Sequence, residues 1–191
     1  MESPNALSFI LKLMLVFYLL NIAANNVNYG SAANTKPKIN LISAICPKTS
    51  NPKKCLFLLN VNSSTRGAPT LRDLGVVTLG ISINKANTSI RSINNSLRFV
   101  DKPPTKQIYE ACIDKFKSSI DMLSEAKQMV TANNFAPARK VLEQVVHVPS
   151  TCQKELAKAG PPTVVRLANA ISDWFFDIAF VIVKELEAGK N

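Results

Sequence analysis

Two cysteines, Cys112 and Cys152, stand on opposite sides of one break in a helical pattern, and their positions dictate how the middle of the chain must fold. Before the break, Tyr109, Cys112, Phe116, Ser119, Leu123, Ala126 and Val130 recur at steps of three and four residues. That spacing lays them along one stripe of an α-helix. The pattern stops at Thr131, Ala132, Asn133 and Asn134, then resumes as Ala138, Val141, Val145, Val148 and Cys152, with Pro137 suited to a first helical turn. So short a break makes the two helices an antiparallel hairpin. With the turn centred between Asn133 and Asn134, Cys112 lies 21.5 positions before it and Cys152 18.5 after it. The two sulfurs then fall within about one turn of each other on facing stripes.

Two more cysteines, Cys46 and Cys55, bring the count to four, and an even count in an exported protein predicts two disulfides. Three pairings exist; the hairpin argument favours Cys112 with Cys152, which leaves Cys46 with Cys55. In the chain-entropy model the longer loop contributes about 4 kcal/mol and the shorter about 3 kcal/mol. The competing use of cysteine, a metal site, is not expected: the spacings match no zinc pattern, and His147 alone could join them.

Export is read from the start of the chain. Met1 to Lys12 forms a short head, Leu13 to Leu20 an apolar run, and Gly30-Ser31-Ala32 a small-residue cleavage site. This is the pattern of a secretory signal over residues 1–33, followed by one domain over 34–191. The alternative is a membrane anchor, but the run falls well below the roughly 20 apolar residues a spanning helix needs. Without residues 1–33 the chain keeps 22 basic and 12 acidic residues, still a net charge of +10. Outside the cell such a protein meets anionic polysaccharide or an acidic protein surface, so pectin contact through the basic surface is one expectation. Nucleic acid is not, because the cations are dispersed and no base-reading motif appears.

Along the chain, Ile39 to Cys46 and Lys53 to Leu59 read as a small helical hairpin clipped by Cys46 and Cys55. Val61 to Pro69 reads as a polar linker. Thr70 is the expected cap of the longest amphipathic helix, whose stripe is Val76, Leu79, Ile83, Ala86, Ile90, Ile93, Leu97 and Val100. Its early part carries a second stripe, Leu71, Leu74, Val77 and Ile81, on the face turned away, to be covered by the clipped hairpin or by a second copy of the chain. Thr105 and Thr163 are the expected caps of the next and last helices, and Pro149 should break the chain before Cys152. The last helix shows Val164, Leu167, Ile171, Trp174, Ile178 and Val181, interrupted by Arg166, Asn169, Asp173 and Asp177. Four long helices with short connections predict an all-α, up-down-up-down four-helix bundle.

Chemistry of a catalytic kind is not legible. His147 has no nucleophile motif beside it and reads as a boundary residue, Asp114, Asp121 and Glu125 read as solvated charge, and no glycine-rich phosphate loop is present. No enzyme activity, cofactor or metal is expected. Three sequons, at Asn62, Asn87 and Asn94, mark candidate glycosylation sites, with Asn62 in the linker the best placed.

Several of these residues carry a resemblance. Cys46-Pro47-Lys48-Thr49 with Cys55 nine residues on, Tyr109-Glu110-Ala111-Cys112 opening a helix, Ser150-Thr151-Cys152, and a final aliphatic helix are similar to the plant inhibitors of acid invertase and pectin methylesterase. Leu71-Arg72-Asp73-Leu74-Gly75-Val76 resembles the pollen-allergen-type invertase-inhibitor branch. The resemblance spans Ile39 to Leu186. It implies a helical hairpin before a four-helix bundle, the disulfide pairing above, and a protein that plugs the substrate cleft of a carbohydrate-active enzyme in the cell wall or apoplast, or in the vacuole. Invertase inhibitors of the family carry Pro-Lys-Phe before the third bundle helix; Asn133, Asn134 and Phe135 stand there in this chain, which favours pectin methylesterase over acid invertase. The family's Ser-Ala-Ala-Leu run is also replaced, by Gln144-Val145-Val146-His147. The expected target contacts are Lys117, Asp121, Ser124, Gln128, Asn133, Asn134 and Phe135. The third possibility is a basic wall protein that binds pectin and inhibits nothing.

Overall fold

The structure is a computed structural model and describes residues 40–189. The signal expected over 1–33 lies outside the described residues, and among those described no helix is long and apolar enough to cross a membrane. All elements among the described residues are helical: α1 (Leu41–Ile45), a 3-10 turn (Cys46–Lys48), α2 (Pro52–Val61), α3 (Ser63–Arg66), α4 (Leu71–Leu97), α5 (Pro103–Thr131), α6 (Phe135–Val145), α7 (Val148–Ala157) and α8 (Thr163–Glu187). α4 packs along α5 and α8, α5 against α6 and α7, and both of those against α8. The contacts close into a cycle. This is the four-helix bundle, its third member broken into α6 and α7.

Local chemistry sets most of the boundaries. Thr70 caps α4: its Oγ1 accepts from the Asp73 amide at 3.1 Å and donates to Asp73 Oδ2 at 2.6 Å. α5 ends in a tight C-terminal motif in which Asn133, at φ 61°, takes the left-handed position that Asn tolerates. There the Asn133 amide donates to the Val130 carbonyl and the Asn134 amide to the Met129 carbonyl, closing the helix before α6 begins. Pro149 sits in the first turn of α7, so the break predicted before Cys152 falls at Val146 and His147. Two expected caps are corrected. α5 starts at Pro103, ahead of Thr105, because proline suits a first turn whose amides have no partner anyway, and Thr163 lies inside α8, after Pro162.

The α5 stripe is buried as predicted, with Ile113 added to it. α4 differs. Leu79, Ala86 and Ile93 of the first stripe are fully buried as predicted, but the two stripes border a single buried face, half of which is small and non-aliphatic: Gly75, Thr78, Ser82, Ser89 and Ser96 are all buried. Val76, Ile83, Ile90 and Leu97 lie half-buried on one side, while Leu71 and Leu74 are buried on the other. Hydroxyls survive there because each has a partner: Thr78 donates to the Leu74 carbonyl, Ser82 to the Thr78 and Phe175 carbonyls, and Ser89 pairs with Ser172 at 2.9 Å. A side chain as short as serine reaches a carbonyl of α8 only where the two backbones lie close.

α8 also corrects the expectation at its start. Val164 is 58% exposed and Leu167 55%, while Val165, Ala168, Ser172, Phe175, Phe176, Ala179, Ile182 and Leu186 face inward. The helix is apolar on nearly every side, so spacing alone does not select the inner face.

The clipped hairpin forms, with Cys46 and Cys55 bonded and their Cα atoms 5.4 Å apart. It docks chiefly on α8, and so does not cover the α4 stripe as expected. Three contacts follow one line of α8: Lys54 lies 5.0 Å from the Trp174 ring centroid, Ser50 donates its amide and hydroxyl to Asp177 at 2.8 Å each, and Lys48 pairs with Glu185. Asp177, read as a mere interruption, is the hairpin's acceptor. The linker is not irregular either. Asn62 Oδ1 caps the Ser64 amide to start α3, and Thr65 is buried against the Leu59 carbonyl.

Candidate functional site

The line Lys117, Asp121, Ser124 and Gln128 runs along the outside of α5 at steps of four, three and four. A helix puts such positions on one face. Lys117 and Asp121 are exposed, and Lys117 pairs with Asp114 at 3.2 Å, an exposed pair of small energetic worth. Ser124 and Gln128 form the wall of a groove of about 480 Å³ between α5 and α4. Ile83, Lys127, Thr131 and Ala132 complete it. Sequence reading missed those four, although Thr131 is simply the next step of the same line after Gln128. Gly80 of α4 lies close to the Lys127 ammonium, 3.6 Å from where a Cβ would stand, which is ordinary contact distance.

The turn at the end of the groove is held in place. Arg72 on α4 donates to Asn133 Oδ1 at 3.2 Å, tying the turn to the neighbouring helix. Asn134 is exposed and its side chain makes no capping bond. Phe135 is half-buried and packs on the core, so part of its ring anchors α6 and the rest faces out. Six of the predicted contact residues therefore lie on one face of α5 and the turn that ends it, and Phe135 opens α6 directly after. Behind the turn, Arg139 bridges Glu143 and Glu187, which fixes α6 to the end of α8.

Cys112 and Cys152 meet as the hairpin geometry requires, both buried, as thiols and without the predicted bond. Glu155 joins them, one turn after Cys152, and the three potential ligand atoms lie within 4.8 Å of one another. The Cys112 thiol donates to Glu155 Oε2 at 3.7 Å, while Lys115 donates to both Glu155 oxygens, at 2.9 and 3.0 Å. Cys112 first, and burial next, push the Cys152 thiol up from its ordinary value. A metal needs thiolates and a free carboxylate lone pair. Here the Cys152 thiol is held protonated and the Lys115 ammonium covers the carboxylate, so the cluster suits a disulfide and fits an ion poorly.

Elsewhere the chemistry is sparse. His147 is exposed at the α6–α7 break. Asp173 of α8 faces this break, and burial pushes its carboxyl up against the opposing pull of Ser150 and His147. Asn169 is buried with neither side-chain polar atom hydrogen-bonded among the described residues. None of these groups has a nucleophile and base in register.

Comparison with known proteins agrees with the architecture. Pectinesterase inhibitor 2 of Arabidopsis thaliana is 30% identical over 125 residues, spanning 64% of this chain and 72% of that protein. The pectinesterase inhibitor of Actinidia deliciosa is 29% identical over 161 residues, spanning 82% and 85%. A crystal structure of a mutant form of a pectin methylesterase inhibitor from Arabidopsis shares the fold with a TM-score of 0.67, at 23% identity over 75% of this chain and 95% of that one. Residues 40–178 match the model of the plant invertase/pectin methylesterase inhibitor family. With half the chain and more inside that match, the protein belongs to this family of enzyme inhibitors.

Proposed function

We propose that this protein is a secreted inhibitor of pectin methylesterase, acting in the cell wall by laying the outer face of α5 and the Thr131–Asn134 turn into the enzyme's substrate cleft. The observation that carries the reading is the groove lined by Ser124 and Gln128, continuous with Lys117 and Asp121 along one face and ending in a turn clamped by Arg72. Rigid helices lose little entropy on association, which suits a plug. The relatives named as pectinesterase inhibitors support the choice of target over acid invertase.

Secretion explains the cysteines. In an oxidising compartment Cys112 and Cys152 close into the second disulfide, and the signal over 1–33 is removed to leave the domain 34–191. Of the sequons, Asn94 is exposed and Asn62 is part-exposed with its amide nitrogen free of the capping bond, so these two accept a glycan more readily than Asn87, whose nitrogen donates to the Ile83 carbonyl.

The test is a titration of the oxidised protein against purified pectin methylesterase and acid invertase at acidic pH, with Ser124→Arg/Gln128→Arg beside the natural sequence. Loss of esterase activity is expected, weakened about tenfold or more by the double variant. Inhibition of invertase alone, or a double variant as potent as the parent, refutes the reading.

A further inference from the structure

The end of the bundle remote from the groove has its own construction. The α4–α5 and α7–α8 connections meet there and wall a cavity of about 490 Å³, lined by Phe99, Val100 and Tyr109 together with Ser92, Asn95 and Gly160. Phe99 is 85% exposed, an unusual position for a phenylalanine with core space nearby. Six exposed cations flank these connections along the chain: Arg98 and Lys102 between α4 and α5 with Lys106 in the first turn of α5, and Lys154 and Lys158 at the end of α7 with Arg166 in the first turn of α8. None of the six is ion-paired among the described residues, and the exposed carboxylates on these segments are Asp101 and Glu110. The groove end is balanced by comparison, with Arg139 held between Glu143 and Glu187 and Lys48 on Glu185.

We propose that this basic end is a binding site for an anionic polysaccharide, a chain of carboxylated sugars. Each component suits that class. An exposed ring offers a flat apolar face to the C–H side of a sugar, the Asn95 amide and Ser92 hydroxyl match sugar hydroxyls, and the flanking cations meet carboxylates spaced along a chain. Duplex nucleic acid fits less well, because no helix or strand projects here to enter a groove. A lipid surface would need an apolar helix face lying flat, and one ring at a junction is not that.

The site is separate from the inhibitory surface. Ile83 lines the groove and Val100 the cavity, and the helix between them spans roughly 20 Å or more. An inhibitor so built holds de-esterified polymer at one end while the other end engages the esterase. The proposal goes beyond the inhibitory reading and does not depend on it.

The experiment measures binding of the full secreted protein to a de-esterified oligogalacturonide, its methyl-esterified counterpart, anionic lipid vesicles and duplex DNA, at about 0.1 M salt where diffuse attraction is already screened. Lys102→Glu/Lys106→Glu/Lys158→Glu should lower affinity for the de-esterified oligomer about tenfold or more, and Lys53→Glu/Lys140→Glu/Lys184→Glu, of equal charge change, less than about threefold. Phe99→Ala should lower it severalfold with the salt dependence unchanged, and thermal unfolding confirms that each variant folds. Equal loss in the two triple variants, equal binding of the methyl-esterified oligomer, or tighter binding of vesicles or DNA overturns the proposal. Esterase inhibition is read on the same proteins. Inhibition retained by the first triple variant while oligomer binding is lost supports two sites. Inhibition lost with it refutes their separation, and oligomer binding by a parent that inhibits nothing sustains this site while refuting the inhibitory one.

Discussion

The two long seams of the bundle are built from different materials. Inside the central hairpin, α5 presents Phe116, Leu123 and Val130, and α6 presents Leu142 and Val145, so that seam is filled by side-chain volume. Between α4 and α8 the buried line is Gly75, Ser82, Ala86 and Ser89 against Ser172, Phe175 and Ala179, and that seam is closed by the approach of the backbones themselves. Both are buried. The first gains from apolar area and shape; the second gains from contact distance, and must satisfy every hydroxyl it buries.

The contrast can be broken from either side. The largest effect is expected at Phe116, fully buried in the volume-filled seam: Phe116→Ala should cost about 3–5 kcal/mol in denaturant unfolding, by lost transfer energy and a cavity the neighbours do not fill. A cost below about 1 kcal/mol would mean that this seam collapses freely and is not close-packed. The close-approach seam should fail in the opposite way, by addition. A Cβ at Gly75 would stand 3.1 Å from Ile182 Cγ2 and 3.5 Å from Leu186 Cδ1. Gly75→Val should therefore destabilise by about 1–3 kcal/mol, although valine has the better helix propensity. A valine variant as stable as the parent would show that the helices can separate there at no cost.

The difference between the seams also decided what could be read in advance. In α5 the residues that fill the core are the apolar ones, so their spacing located the buried stripe, the turn and the meeting of Cys112 with Cys152. In α4 spacing located Leu79, Ala86 and Ile93, but the rest of the buried face is largely serine, threonine and glycine, which spacing rules count as solvent-facing. The apolar flanks on either side were then read as two opposed faces. In α8 the failure is the reverse, because a helix apolar nearly all round offers no unique stripe, and Val164 and Leu167 were placed inward when they face out. The candidate surface was legible as a line on α5, since an exposed face is whatever the core stripe leaves over. Its groove was not, because Ile83 belongs to α4 and only the packing of the two helices brings it beside Gln128. The α8 docking line of Trp174, Asp177 and Glu185 was hidden for the same reason: Trp174 reads as part of the apolar stripe, and Asp177 and Glu185 as ordinary surface charge, until the hairpin lies on them.

The smallest expected effect sharpens the comparison most, because it tests whether the polar seam is held by partnership or merely tolerates hydroxyls. Ser89 and Ser172 lie 2.9 Å apart, both buried, one on each helix. Removing one leaves the other hydroxyl without its cross-helix partner in a buried seam, so Ser89→Ala and Ser172→Ala should each cost about 1 kcal/mol. Removing both deletes donor and acceptor together and leaves two methyl groups where small residues already pack. The double variant should then cost no more than either single one, with a coupling of about 0.5 kcal/mol or more in a double-mutant cycle. Additive costs would show that each hydroxyl finds its own helical carbonyl once alone, as Thr78 does with Leu74. In that event close approach alone joins α4 to α8, and the hydroxyls are passengers whose size, and not whose hydrogen, suits the seam.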